Sequence, residues 1–442
     1  MTTVSLIDSG TSEDEYNFQA IAPRPVSISD TGLSESLLQE LLLKQLTVHS
    51  VMTIRELAQQ LALAGGIVTE LIDAAKHATL VINRANASDG KFRFALSQKG
   101  FEQAEKLIRR NGYIGRAPVP LQQYTEICKQ QSCRELKVTS KLLHQAFKGE
   151  IFSEDLLEQI GPALNSNKPI LLYGLPGIGK SYLCRHLNLI HNDDVLIPNA
   201  IEFNGEIIHV YDPEIHQSAE QSSSEGQSLL KLSHGYDPRW IRCKRPLMVT
   251  GGELTESMLE VSSDPISRVF RAPIQLKANN GILLIDDLGR QKIQPKALFN
   301  RWIIPLEERR DFLSMPNGAH FEVPFELTLL FSTNLQPSDL VDEAFLRRIG
   351  YKIEFQPVSN AEYQQIWHKN CESLQLSCAT TTYDYLVGTL HDQSKRPLLP
   401  CYPRDLLGIV VDQISYHDLP REVTPNLLQK AWNMNFVSQD SN

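Results

Sequence analysis

The clearest chemistry in the sequence lies at residues 174–181, which read Gly-Leu-Pro-Gly-Ile-Gly-Lys-Ser. An apolar run precedes this segment and a helical pattern follows it, so the context is strand, loop and helix. Glycines let several backbone N–H groups converge on phosphate oxygens, and the N-terminus of the next helix adds a partial positive charge. The pattern predicts a nucleotide site in which Lys180 reaches the β- and γ-phosphates and the Ser181 hydroxyl ligates Mg²⁺. The expected nucleotide contacts are Gly174, Leu175, Pro176, Gly177, Ile178, Gly179, Lys180, Ser181 and Tyr182.

Two carboxylates, Asp286 and Asp287, end a second apolar run at residues 281–285. In a protein with a phosphate-binding loop, a buried strand that ends in acids has the Walker B pattern. We expect Asp286 to hold Mg²⁺ through water and Asp287 to polarise the water that attacks the γ-phosphate. An acidic turn exposed to solvent is the alternative interpretation of the pair.

Two more motifs follow in order. An apolar run at 327–331 leads into Ser-Thr-Asn at 332–334, and Asp-Glu-Ala-Phe-Leu-Arg-Arg-Ile-Gly occupies 342–350. In order and spacing, the four motifs resemble those of the AAA+ ATPase family, over about residues 134–436. The resemblance implies ATP as the nucleotide, Mg²⁺ as the cofactor and a ring of identical subunits, usually a hexamer.

The same resemblance implies roles for four polar side chains. Asn334 would be sensor 1, which places the attacking water. Arg347 or Arg348 would be the arginine finger, presented to the nucleotide of the neighbouring subunit, and Arg348 stands where family members often have Arg-Phe-Gly. Arg404, in a Pro-Arg-Asp-Leu run, resembles the sensor 2 motif and would face the γ-phosphate. For each arginine, an ordinary surface charge on a helix is the alternative.

One departure from the family pattern concerns the second acid of the pair. The family usually has Asp-Glu at this position, whereas residues 286–287 are Asp-Asp. Aspartate is one methylene shorter, and a group that positions water must lie within hydrogen-bond reach of it. Hydrolysis could therefore be slow, could wait for ring closure to bring Asp287 nearer, or could be absent in a protein that acts as a nucleotide switch.

The segments around the Walker B run suggest two additions to a minimal core. Residues 311–323 contain an Asn-Gly turn between strand-like runs, which predicts a hairpin. A hairpin at this point resembles the pre-sensor 1 hairpin of the subgroup that includes MoxR-type ATPases. A second Asn-Gly hairpin is predicted at 201–207. The stretch from Leu189 to Asn280, which also holds the basic, tryptophan-containing run at 237–245, is longer than a minimal core. We expect part of this stretch to be an insertion that faces the ring pore or a substrate, with a solvated charged loop as the alternative.

The N-terminal part of the chain has its own pattern. Apolar residues at helical spacing predict three helices after residue 34, the second opened by a capping box from Thr53 to Glu56. Two short strand-like runs around a turn at 88–90 and a last helix capped by Ser97 follow. This order resembles the winged-helix fold over residues 34–111. We expect a disordered acidic tail at 1–33 and a linker at 112–133, which is rich in Gly and Pro.

The partner of this N-terminal unit is ambiguous from its charges. Residues 34–116 hold 11 Lys and Arg against 8 Asp and Glu. The helix that would read DNA, at 66–78, offers Glu70 and Asp73 where base reading favours Arg, Asn or Gln. Basic residues collect instead on the hairpin and the last helix, and include Arg84, Lys91, Arg93, Lys99, Lys106, Arg109, Arg110 and Arg116. Docking to a protein and binding to nucleic acid both remain open.

Composition limits the class of protein. The chain has 442 residues and a formal net charge of −9, which argues against a protein dedicated to coating nucleic acid. No run of apolar residues is long enough to span a membrane, and the first residues lack a secretory signal pattern. Seven cysteines stand singly, which suits a reducing cytosol. We expect a cytoplasmic protein.

The sequence therefore predicts an α/β fold, an AAA+ P-loop parallel αβα sandwich with a C-terminal helical lid, preceded by an α+β winged-helix domain. The predicted boundaries are 134–357 for the ATPase core and 358–442 for the lid. The predicted function is ATP hydrolysis by a ring that remodels a protein partner or complex, with the winged helix as docking adaptor. The alternatives are a DNA-directed ATPase, either a transcription regulator or a branch-migration type motor, and a nucleotide switch that does not hydrolyse ATP.

Overall fold

A computed structural model describes residues 18–84, 92–190, 193–219, 235–340 and 342–436. Its α-helices, in chain order, are α1 Glu35–His49, α2 Ile54–Leu61, α3 Gly65–His77, α4 Gln98–Arg110, α5 Leu121–Gln130, α6 Ser140–Ala146, α7 Glu154–Asn165, α8 Lys180–Leu187, α9 Ile274–Lys277, α10 Pro295–Glu308, α11 Pro337–Leu340, α12 Glu343–Leu346, α13 Asn360–Ser373, α14 Thr380–Tyr385, α15 Asp392–Ser394, α16 Cys401–His417 and α17 Pro425–Asn435. A π-helical segment, Leu386–His391, joins α14 to α15.

The strands are β1 Val81–Arg84, β2 Arg93–Leu96, β3 Val119–Pro120, β4 Ile170–Tyr173, β5 Asp194–Pro198, β6 Ala200–Phe203, β7 Glu206–His209, β8 Trp240–Lys244, β9 Leu247–Thr250, β10 Ser262–Ser263, β11 Phe270–Arg271, β12 Ile282–Ile285, β13 Arg310–Ser314, β14 His320–Pro324, β15 Thr328–Thr333, β16 Tyr351–Glu354, β17 Ser377–Cys378 and β18 Glu422–Val423. Short 3-10 helices occur at Ser29–Thr31, Cys133–Glu135 and Glu256–Leu259.

A parallel five-stranded sheet, in the order β16-β4-β15-β12-β9, forms the centre of the molecule. Its middle strands read as continuous apolar runs because both faces of the sheet are covered. In β4, Ile170 and Leu172 point to one hydrophobic core while Leu171 points to the other. Strand β4, which enters the phosphate loop, lies between β16 and β15. Strand β15 leads into Asn334, the predicted sensor 1. This arrangement confirms the predicted parallel αβα sandwich.

A helical unit follows the sheet, as the sequence predicts. Helices α13, α14, α16 and α17 share a core that contains Trp367, Leu407 and Val410, each fully buried. Ser359 and Glu362 form a capping box that begins α13 directly after the sheet. In the part of the chain that the structure describes, no helix is both long and apolar enough to cross a membrane.

A second sheet, which the sequence analysis missed, lies outside the parallel one. It has the order β10-β11-β7-β6-β3, and β5 pairs with β8 beside it. Together with α5 these strands form what we call the inserted unit. The predicted Asn204–Gly205 hairpin is confirmed as the β6–β7 turn inside it, where Gly205 has a φ of +80°.

The linker predicted at 112–133 is wrong. Val119 in β3 pairs with Ile201 in β6, and α5 buries Tyr124 and Ile127 in the core of the inserted unit. The glycines and prolines of this segment suggested a flexible linker, but in the structure they allow chain segments to pack closely. A Cβ on Gly112 would lie 1.7 Å from the carbonyl oxygen of Ser267, so only glycine allows the two chain segments to approach.

The interpretation of residues 237–245 as a face for a substrate or pore is also wrong. Asp237 and Arg239 are 0% exposed and form an ion pair at 2.7 Å. The Arg239 Nη1 atom donates to the carbonyl oxygens of Thr31, at 2.9 Å, and Pro118, at 3.1 Å. Trp240 is buried in the same core. The charges in this run therefore hold segments of the fold together.

The disordered tail predicted at 1–33 is wrong for residues 18–33, and residues 1–17 lie outside the described residues. Phe18 packs edge-to-face on Tyr236, with ring centroids 6.1 Å apart. Ala22 is fully buried, and its carbonyl oxygen accepts from the backbone N–H of Asp237 at 2.9 Å. Too few apolar residues occur here for a periodic pattern, and their partners lie about 200 residues away.

The N-terminal unit has its elements in the predicted order. Helices α1, α2 and α3 are followed by the antiparallel pair β1–β2 and by α4. Thr53 and Glu56 form the predicted capping box, and the Ser97 side chain caps α4. The turn predicted at 88–90 and Lys91 lie outside the described residues. The core of this unit also takes in Ala200 and Ile207 from the inserted unit, so the two share buried surface.

Candidate nucleotide site

The phosphate loop connects β4 to α8 at the carboxyl edge of the parallel sheet, where ligands of such sheets bind. Gly174, Gly177 and Gly179 have φ values of +142°, +79° and +97°, which favour glycine. A Cβ on Gly177 would lie 2.4 Å from the Cys401 Sγ atom at the start of α16. The loop therefore packs directly against the lid helix that carries Arg404.

A chain of hydrogen bonds joins the motifs of three strands. Lys180 Nζ donates to Asn334 Oδ1 at 2.8 Å, and Asn334 Nδ2 donates to Asp287 Oδ1 at 2.9 Å. Lys180 also donates to the carbonyl oxygens of Gly174 and Leu175, both at 2.9 Å. The structure thus brings the loop lysine, the predicted sensor 1 and the second Walker B acid into direct contact.

Burial dominates the electrostatics of the lysine. It lowers the pKa of Lys180, because a low-dielectric surrounding disfavours the charged ammonium, while Asp287 and Asp286 act in the opposite direction. The nearby carboxylates thus favour the cation that phosphate binding requires.

Ser181 and Asp286 supply oxygen ligands for a cation. The Ser181 Oγ atom donates to Asp286 Oδ1 at 2.9 Å. Mg²⁺ prefers hydroxyl, carboxylate, water and phosphate oxygens, and it is usually held by one or two protein groups together with substrate phosphates. A hydroxyl and a carboxylate in contact beside a phosphate loop fit that requirement.

A tight turn holds the two acids in place. Asp287 has a φ of +50° and Gly289 a φ of +105°. The Gln291 side chain closes the turn, because its Nε2 donates to the carbonyl oxygens of Asp286 and Asp287 and its Oε1 accepts from the N–H of Gly289. The positive φ of Gly289 favours glycine at this position, and a Cβ there would also contact the Leu335 side chain at 2.8 Å.

These residues face a cavity of about 1240 Å³ between the sheet and the lid, which we call the P-loop cavity. Its walls include residues 176–182 of the loop and α8, Asp287 and Asn334 from the sheet edge, and Arg404 from the lid. Tyr182 lines it as well and donates its hydroxyl proton to Glu150 Oε2 at 2.6 Å. Arg404 is mostly exposed and lies 3.3 Å from the carboxylate of Asp405.

Arg347 and Arg348 lie apart from this group and do not line the cavity. Arg347 is 76% exposed and pairs with Glu343, one turn earlier, at 2.9 Å. Arg348 is 35% exposed, and its Nε donates to Glu307 Oε1, at the end of α10, at 2.7 Å. The structure therefore does not bring either arginine to the nucleotide-binding residues of its own chain.

The hairpin predicted before sensor 1 is present as β13–β14, with Gly318 at a φ of +83°. Its apolar residues pack into the inserted unit, and Phe321 stacks on Phe203 with ring centroids 4.8 Å apart. At the hairpin base, the buried Asp311 accepts from Arg301 Nη1 and from Gln275 Nε2. Along the chain the hairpin lies between β12 and β15, and its apolar residues contact the inserted unit.

Sequence reasoning missed three residues beside the acids. Arg290 lines the P-loop cavity, Gln291 closes the turn, and Glu253 accepts from Thr250 Oγ1 at 3.0 Å at the end of β9. Arg290 and Gln291 could have been found from their position, because they lie shortly after the Walker B run in the sequence. Glu253 gave no local signal, since β9 reaches the site only through pairing with β12.

Comparisons with known proteins give three findings. A family model described as "Domain of unknown function (DUF8689)" matches residues 359–434, within the helical lid. No curated protein matches the chain significantly. Among solved structures, the chain is similar to the RuvB Holliday junction branch migration motor of Thermotoga maritima (14% identity, TM-score 0.35, 64% of this chain and 70% of that chain). It is also similar to a point mutant of RuvB (13%, 0.38, 64% and 70%) and to NtrX from Brucella abortus (12%, 0.41, 67% and 58%).

Proposed function

We propose that the chain is a Mg²⁺-dependent ATP hydrolase of AAA+ type that works as a ring and remodels a protein partner or complex. One observation carries the proposal: the hydrogen-bonded chain from Lys180 through Asn334 to Asp287, beside the contact of Ser181 with Asp286. These are the groups that phosphoryl transfer needs, a phosphate-binding cation, a metal site and a positioner of water, at one edge of one sheet.

The geometry suits hydrolysis of a γ-phosphate. A water oxygen attacks the γ-phosphorus, the bond to the β–γ bridging oxygen breaks, and ADP and inorganic phosphate result. The Asn334 amide and the Asp287 carboxylate, 2.9 Å apart, offer a donor and an acceptor to one water. Lys180 offsets negative charge on the phosphates, and Mg²⁺, when bound at Ser181 and Asp286, neutralises further phosphate charge.

A ring accounts for the placement of the arginine finger candidates. An arginine that completes a neighbour's site has no need to approach the cavity of its own chain, and neither Arg347 nor Arg348 does so. Arg348 remains our first choice, with Arg347 as the second. Arg404 is proposed to contact the γ-phosphate from the lid, because it lines the same cavity as the phosphate loop and Asp287.

The N-terminal unit is proposed as a docking adaptor for a protein. Glu70 and Asp73 are exposed on α3, and Asp73 pairs with Lys76 at 3.3 Å, so this helix presents acidic groups that repel nucleic-acid phosphates. The adaptor shares its core with the inserted unit, which in turn contacts the β13–β14 hairpin. This continuity offers a route from the nucleotide site to a docked partner.

A DNA-directed ATPase is the second candidate, favoured by one observation. Arg84, Lys99 and Lys106 are exposed on the β1–β2 pair and on α4. A phosphate backbone could contact this basic group without any base reading. Stimulation of ATP turnover by duplex or branched DNA, lost on raising salt and in an Arg84→Ala/Lys99→Ala variant, would favour this candidate over protein docking.

The direct test of the proposed function is steady-state release of phosphate from Mg-ATP by the full chain. We expect turnover in the wild type, and none in Lys180→Ala because no other side chain of the loop places a point charge on the β- and γ-phosphates. Arg185→Ala, which alters an exposed arginine of the same helix outside the cavity, is the control and should behave as wild type. ATP binding without turnover in the wild type would instead identify a nucleotide switch.

A further inference from the structure

Arg290 is an exposed residue that lines the P-loop cavity, and its backbone is fixed by the turn after the two acids. Its backbone N–H donates to the carbonyl oxygen of Asp287 at 3.0 Å. Two residues with positive φ, Asp287 and Gly289, and the hydrogen bonds of Gln291 fix the path of the chain between the strand and Arg290. A turn closed in this way fixes where the Arg290 side chain begins, three residues after Asp287 and at the edge of the cavity.

Ion pairing distinguishes Arg290 from two other cations that line the cavity, Lys369 and Arg404. Lys369 pairs with Glu150 at 2.9 Å, and Arg404 lies 3.3 Å from Asp405. Among the residues that the structure describes, none forms an ion pair with Arg290. Arg290 therefore lines the cavity together with Asp287 and Asn334, and its guanidinium has donors available for a ligand.

We propose that Arg290 binds the γ-phosphate of the nucleotide held by its own chain. A guanidinium offers a planar set of donors that matches a phosphate, and such charge-assisted contacts are stronger than neutral ones. The position beside Asp287 and Asn334 is the γ-phosphate end of the site, because these residues are expected to hold the attacking water. The inference rests on the proposed function, and it makes Arg290 a catalytic residue that acts in cis and discriminates ATP from ADP.

Arg290 thus differs in kind from the arginine finger candidates. Arg347 and Arg348 lie outside the cavity and pair with Glu343 and Glu307. A finger supplied by a neighbour affects turnover only in an assembled ring, whereas a cis contact affects nucleotide affinity in every subunit.

The test measures the dissociation constants of Mg-AMP-PNP and Mg-ADP by isothermal titration calorimetry, for the full-length wild type and three variants. Arg290→Ala should weaken AMP-PNP binding about 10- to 100-fold and leave ADP binding unchanged, since only the analogue has a third phosphate. Arg290→Lys keeps the charge but loses the planar donors, so its affinity for AMP-PNP should lie between those of the wild type and Arg290→Ala. Arg185→Ala, an exposed arginine outside the cavity, should match wild type for both nucleotides.

Each other outcome has a defined meaning. Equal weakening of AMP-PNP and ADP in Arg290→Ala would show that Arg290 shapes the turn, and unchanged affinities would show that it makes no phosphate contact; either result overturns the inference. Failure of the wild type to bind either nucleotide would overturn the proposed function itself. Unchanged ADP affinity in the variant also shows that it is folded.

Discussion

In the proposed mechanism, hydrolysis depends most on Asp287, which is one methylene shorter than the glutamate usual in AAA+ proteins. In the structure its Oδ1 accepts from the Asn334 amide at 2.9 Å, so the short side chain still reaches sensor 1. The shorter side chain of Asp287 is therefore compatible with its proposed role in positioning water.

We expect Asp287→Asn to bind ATP with wild-type affinity and to lose turnover. The amide keeps the size of the side chain and an oxygen that can accept from Asn334, but it loses the charge that polarises water. Titration with a fluorescent ATP analogue together with phosphate release measures both properties. Loss of binding in this variant would mean that Asp287 holds the nucleotide or its metal, and turnover near wild type would remove it from catalysis.

Asp287→Glu tests whether the shorter side chain limits the rate. The added methylene restores the reach usual in the family, and we expect turnover to rise. The measurement is kcat at saturating Mg-ATP, with the ATP dissociation constant as the control for an intact site. An inactive glutamate variant that still binds ATP would show that the turn closed by Gln291 is built around aspartate.

Most of the candidate site could be predicted from sequence because its parts are local motifs on neighbouring strands. A loop between Tyr173 and Lys180 and an acid pair after Ile285 must lie at the same sheet edge once both strands are parallel and central. The direct contact between Lys180 and Asn334 was not predictable, because it depends on side-chain positions across 154 residues of sequence. Glu253 was missed for the same reason.

At the scale of elements, the parallel sheet, the lid and the β13–β14 hairpin followed from hydrophobic patterns, and the inserted unit did not. Strands of two residues, such as β3 and β11, carry no periodicity. Their pairing is set by partners far along the chain, as between Val119 and Ile201. A sequence pattern cannot show which distant charge a buried arginine meets, so Arg239 was misread as a surface residue.

Arg239 offers a stability prediction at this scale. Arg239→Ala removes the partner of the buried Asp237 and the donors to Thr31 and Pro118, and breaking a buried pair from one side costs about 3–5 kcal/mol. Chemical denaturation of the purified variant should show this loss in the unfolding of the N-terminal and inserted units. Lys244→Ala, which breaks a more exposed pair between the end of β8 and Asp194 in β5, should change stability little. Equal stability of both variants would contradict the role given to Arg239.

At the scale of the whole molecule, the N-terminal unit, the inserted unit and the parallel sheet are connected by a continuous series of contacts. The N-terminal unit shares buried residues with the inserted unit, the inserted unit packs on the hairpin, and the hairpin connects to the Walker B and sensor 1 strands. The lid contacts the phosphate loop through Cys401 and Gly177. In the proposed account, nucleotide state changes these contacts, and a ring passes the change between subunits through the arginine finger.

The central claim is that ATP is hydrolysed at sites completed by a neighbouring subunit. Arg348→Ala subunits should still bind ATP but turn it over slowly as a pure ring, because such an arginine contributes about 10³–10⁵ in rate. Lys180→Ala subunits should neither bind nor hydrolyse. Where the two meet in a mixed ring, an intact phosphate loop can receive an intact arginine.

Steady-state ATPase activity across a titration of Arg348→Ala against Lys180→Ala subunits therefore tests this claim most directly. The account predicts activity well above the sum of the two separate rates, with a maximum at intermediate mixing. Mixtures that stay at that sum, although the subunits demonstrably co-assemble, would contradict a role for Arg348 in trans. A chain that hydrolyses ATP at the wild-type rate while it stays monomeric with ATP and Mg²⁺ would contradict the ring itself.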